Sequence, residues 1–197
     1  MPNNLNFSDF LQYVFSQFDM KGLNSDLVSI CLEIPSFNLL GTYEYFLDKY
    51  SFSAFWEEND QMSYIALDRC KYINLDGPKR FEIAKKFNDE NFKNLVNLTP
   101  QAEENISSLS KAIYFFSFSE NSRKNQDVAE IPNMEAVLPK ILIIRYRDKG
   151  WIRMNAQANS KSSLRAIIEE FWSIRNQVIF KQNIKEETFI DKKEINQ

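Results

Sequence analysis

The run Lys140-Ile141-Leu142-Ile143-Ile144-Arg145-Tyr146, followed by Asp148-Lys149-Gly150 and then Trp151-Ile152-Arg153-Met154-Asn155, leaves this chain little choice of local structure. Two runs of branched and aromatic residues joined by a short polar, glycine-containing turn pair as an antiparallel hairpin, here spanning residues 137–158. Any fold proposed for the chain must contain that hairpin and supply elements to pack around it.

The remaining residues alternate between helical and strand patterns. Phe7, Phe10, Leu11, Val14, Phe15 and Phe18 follow a helical period, with Asn6 or Ser8 as the cap and Gly22 as the stop, and this apolar stripe is expected to pack on the protein's own sheet. Residues 26–34 read as a half-buried strand stopped by Pro35, and residues 36–50 as a short helix presenting Tyr43, Phe46, Leu47 and Tyr50. Residues 52–57 and 62–69 are the arms of a hairpin around the polar turn Glu57-Glu58-Asn59-Asp60. After Gly77-Pro78, the positions of Phe81, Ile83, Ala84 and Phe87 outline a helix.

Residues 88–110 are polar and read as loop with one short helical piece, whereas Ala112 to Phe118 is apolar enough to cross the middle of a sheet. Ser119 to Asp127 is expected to be a mobile surface loop. A last helix begins near Ser160 to Ser163 and carries Leu164, Ile167, Ile168, Phe171, Trp172, Ile174 and Ile179. The pattern predicts an α+β fold, mainly an antiparallel sheet with helices packed on it. Residues 1–180 form one domain, and residues 181–197, balanced in charge and poor in apolar positions, form a linker or tail.

With 197 residues, of which 44% are hydrophobic and 14% aromatic, the chain can bury a sizeable core. No apolar run reaches the roughly 18 residues of a membrane span, and Met1-Pro2-Asn3-Asn4 lacks the basic region of a secretory signal, so a cytoplasmic protein with no membrane partner is expected. A net charge of -3 gives no electrostatic basis for a nucleic-acid partner.

The chain has no histidine, which removes Ser-His and Cys-His nucleophile pairs and the commonest nitrogen ligand for zinc. Cys31 and Cys70 stand apart, match no paired-ligand spacing and are expected to be ordinary reduced core residues. The 4 glycines form neither of the usual phosphate-cradling loops. The Asp, Glu, Lys and Tyr side chains form no local constellation, so no catalytic, cofactor-binding or metal residue is assigned.

Lys79 and Arg80 are the candidates for an anion contact, because the amides of a helix N-terminus attract anions. Against that, Pro78 removes one donor, and further cations, Lys85 and Lys86, lie along the same helix. The ordinary expectation is that all four lie around the polar side of the helix.

The order of these landmarks resembles the N-terminal region of the isochorismate synthases, within the chorismate-utilising family. Ile34-Pro35 followed by Phe37-Asn38-Leu39-Leu40 resembles the family's early strand and corner, with Asn38-Leu39 in place of Asp-Pro. Phe55-Trp56-Glu57 resembles its Tyr-Trp-Glu strand, and Gly77-Pro78-Lys79-Arg80-Phe81 its Gly-x-x-Arg-Phe segment. Tyr114 to Ser119 resembles its Phe-x-Phe-Ser-Phe strand, without the glycine pair that usually precedes it, and Val137-Leu138-Pro139-Lys140 its Leu-Pro strand.

The resemblance implies half of the larger chorismate-utilising fold, with the catalytic chorismate-binding domain as a C-terminal partner. That domain would supply the lysine base, the glutamate acid and the glutamates that hold magnesium. No motif for them occurs in this chain, which is therefore expected to be non-catalytic alone and to carry no cofactor. Two other readings are a stand-alone protein-interaction module and the N-terminal part of an anthranilate or aminodeoxychorismate synthase.

Overall fold

The computed structural model describes residues 6–21, 26–58, 62–99, 109–116 and 133–194. Chain order is α1 (Phe7–Lys21), β1 (Leu27–Pro35), α2 (Leu39–Phe46), β2 (Ser53–Glu57), β3 (Met62–Leu75), α3 (Arg80–Asn94), β4 (Val96–Asn97), β5 (Ile113–Phe116), β6 (Met134–Tyr146), β7 (Lys149–Gln157) and α4 (Lys161–Glu194). The strands form one sheet in the order β2-β3-β6-β7-β1-β4, with β5 joined to β6 off that path. All pairings are antiparallel except β1 with β4. The expected α+β architecture is present.

The defining hairpin is β6–β7. Tyr146 pairs with Lys149, so the loop is Arg147-Asp148, and Arg147 adopts a φ of 56°, the left-handed geometry that lets a two-residue loop follow the strand twist. Gly150, read from the sequence as part of the turn, instead lies inside β7 opposite Ile34 and Arg145. Its reason is packing, since a Cβ placed there would sit 2.8 Å from the Phe37 ring and 3.0 Å from Ile34.

Strand β6 pairs with β3 from Met62↔Tyr146 to Leu75↔Met134, with a bulge between Arg69 and Lys71. Its other edge is shared: β7 takes Ile141–Tyr146 and β5 takes Met134–Val137. The Ala112–Phe118 run therefore does not cross the middle of the sheet. Its described part pairs with β6 alone and leaves Phe115 and Phe116 exposed. Short apolar runs carry no information about which neighbours they meet, and here long-range pairing put the run at an edge.

One sheet face is covered by α1, α2 and α4. Phe10, Val14 and Phe18 meet Leu164, Ile168, Phe171, Ile174 and Val178 over Ile30, Ile65, Ile141, Ile143 and Ile152, all buried. The Phe10 and Phe171 rings stack with centroids 5.6 Å apart. The N-terminal stripe packs on its own sheet, as its period implied. Helix α2 starts where the Asn38 side-chain oxygen accepts from the Gly41 amide at 3.0 Å, a cap that also ties the Ile34–Phe37 corner to the helix.

Several boundaries differ from the sequence reading. Helix α3 continues to Asn94 and β4 follows it, where residues 88–110 were expected to be mostly loop; Ala84 and Asn91 are buried, and Asn91 Nδ2 donates to the Phe87 carbonyl at 2.7 Å. Tertiary contact on one side sustains a helix whose composition alone is too polar to predict it. Helix α4 carries on through residues 181–194, the stretch read as linker or tail. Gly22 and the Ser119–Asp127 segment lie outside the described residues.

Gly150→Ala should destabilise the fold by about 1–3 kcal/mol, the usual cost of forcing extra volume into a packed site. Urea unfolding of the two proteins checks this, and an unchanged midpoint would show that Phe37 yields freely.

Candidate functional site

The Gly77 turn is built by backbone geometry. Gly77 has a φ of 79°, yet a Cβ there would meet nothing within 4 Å, so glycine is favoured by the dihedral and not by lack of space. Pro78 and Lys79 complete the turn before α3, which puts the proline two residues before the first helical position, outside the first turn expected for it.

Arg80 then folds back: its amide and its Nη1 both donate to the Gly77 carbonyl, at 3.3 and 3.2 Å, and its guanidinium lies 4.8 Å from the centre of the Phe81 ring. Arg80 is only 6% exposed, whereas Lys79 is exposed. The expectation that both lie on the polar side of the helix is corrected for Arg80. A guanidinium can be buried when carbonyl and aromatic partners meet it, and the turn provides both. The two cations do not converge on one surface.

A second group of polar residues lies on the sheet face opposite α1, α2 and α4. The apolar cluster there, built from Cys31, Phe52, Tyr64, Ala66, Val137, Leu142, Ile144 and Trp151, contains no helical residue. Alternation along β7 puts Trp151, Arg153 and Asn155 on this face, and along β1 it puts Ser29 and Cys31 there.

Arg153 is fully buried, and its Nη1 donates to Ser29 Oγ at 2.6 Å. Asn155 Nδ2 donates to the Pro139 carbonyl at 2.9 Å, while its oxygen accepts from Ser110 Oγ at 3.2 Å. At the β1 edge the Cys31 amide donates to Thr99 Oγ1 at 2.7 Å. This row cross-links β1, β7 and β6 with the segments after β4 and before β5. Its buried charge is tolerable only because partners satisfy it in place.

The third group joins the helical layer to the bulge in β3. Lys140 Nζ lies 2.7 Å from Glu170 Oε1 and 3.9 Å from Asp68 Oδ2. Asp68 has a φ of 56°, and its amide donates to the Phe52 carbonyl at 2.9 Å. Nearby, burial first, then the charges of Glu170 and Asp68 and the neighbouring Tyr45, push the Tyr50 hydroxyl above its ordinary pKa. Burial, reinforced by the charge and hydrogen bond of Glu58, does the same for Tyr64. Neither phenol is tuned toward proton transfer near neutral pH.

Cys70 follows the same logic. Burial, opposed by Lys71 and Lys140 and reinforced by Asp26 and Asp68, leaves its thiol pushed up to about 11. It is half-buried at the bulge, unlike the fully buried Cys31, so one of the two cysteines departs from the ordinary core reading. A thiol held neutral makes a poor nucleophile.

Among the described residues no three His, Cys, Asp or Glu side chains come together to hold a metal ion, so no step through magnesium is assigned to them. Sequence reasoning missed Ser29, Thr99, Arg153 and Asn155. The only signal was strand alternation, and an arginine between apolar neighbours in a strand reads equally well as a solvated side chain.

Residues 13–197 match the family model of the chorismate binding enzymes, and the chain belongs to that family. Among solved structures it is similar to MenF, the menaquinone-specific isochorismate synthase from Escherichia coli, with 13% identity and a TM-score of 0.41 over 85% of this chain and 34% of that one. The chain thus spans about a third of the length of that enzyme. None of the curated proteins matches it.

The raised pKa of Cys70 sets its reactivity. From an ordinary value of 9.0 to about 11 is a loss of about two powers of ten in thiolate at pH 8, so iodoacetamide should alkylate Cys70 roughly 100-fold more slowly in the folded chain than in urea. Since the folded pKa is raised, the associated stability is present below pH 9 and is lost as pH rises toward 11. Equal labelling rates at pH 8 would remove this account.

Proposed function

We propose that this chain is the N-terminal, non-catalytic part of an isochorismate synthase, which converts chorismate to isochorismate for menaquinone or phylloquinone synthesis. Its partner is a C-terminal chorismate-binding catalytic domain, which carries the acid, the base and the magnesium site. Residues 1–180 are the scaffold, and residues 181–197, helical as far as Glu194, lead toward that domain. The protein works in the cytoplasm; no described helix is long and apolar enough to cross a membrane.

The observation that carries this reading is how the cations are used. A substrate with two carboxylates needs several cations or amides aimed at one place, with an acid and a base positioned beside them. Here Arg153 is sealed inside the sheet face, Arg80 is turned onto its own turn carbonyl, and Lys140 is ion-paired to Glu170. Each of these three cations is engaged with a partner inside the fold. Family membership supplies the chemistry, and the placement of these groups supports a supporting role for this part of it.

Purified chain incubated with chorismate and magnesium should yield no isochorismate by chromatography, and clear turnover would overturn the proposal. Removing residues 181–197 should lower the unfolding temperature by less than about 3 °C, equivalent to about 1 kcal/mol at this size. A larger loss would show that the segment packs on the core instead of leading away from it.

A further inference from the structure

No further inference is drawn: the strongest candidate, the exposed aromatic patch that Phe81 of α3 and Phe116 of β5 form by stacking, is an apolar patch for which nothing among the described residues shows what covers it.

Discussion

Pairing on both edges of β6 is the constraint on which the rest of the molecule depends. One edge is matched to β3 along almost its whole length, and the other is divided between β7 and β5. That division makes the bulge near Arg69 tolerable, because a strand held on its far side can absorb an extra residue in its neighbour. The bulge in turn places Asp68 beside Lys140, and Lys140 reaches Glu170 on α4. Sheet pairing and helix docking thus meet at one point, though the half-exposed ion pairs contribute little compared with the buried apolar contacts of α4.

The two faces of the sheet solve the burial problem differently. Toward the helices, an unbroken apolar layer meets Phe10, Phe171 and their neighbours. On the other face, apolar residues share space with Ser29, Arg153 and Asn155, each committed to a partner in another strand or segment. Truncating one member of such a row strands the rest without water, so the row specifies strand register more than it adds stability. The row thus ties strands β1, β7 and β6 to one another through polar side chains as well as through the ladder.

Periodicity and turn chemistry made much of the architecture legible. The stripe from Phe7 to Phe18, the hairpin around Arg147 and the steps from Leu164 through Ile174 all state in local sequence which side is apolar. The misreadings have a common physical source. Gly150 resembled a turn residue because its packing partner, Phe37, is more than a hundred residues away in the chain. Residues 113–116 resembled a central strand because apolarity reports burial tendency and not position in a sheet. Arg80 resembled a solvated cation because the Gly77 carbonyl that accepts from it is brought to its guanidinium only when the turn closes.

By itself, the sequence determined the element types, the apolar faces and the exclusion of histidine chemistry, since these follow from residue identity and short-range spacing. Only the tertiary structure decided that Ser29, Arg153 and Asn155 form one buried row, that β5 lies at an edge, and that Lys79 and Arg80 part company. Strand order and burial arise from contacts between residues far apart in the chain, and local sequence encodes a residue's preference for such contacts without naming its partner.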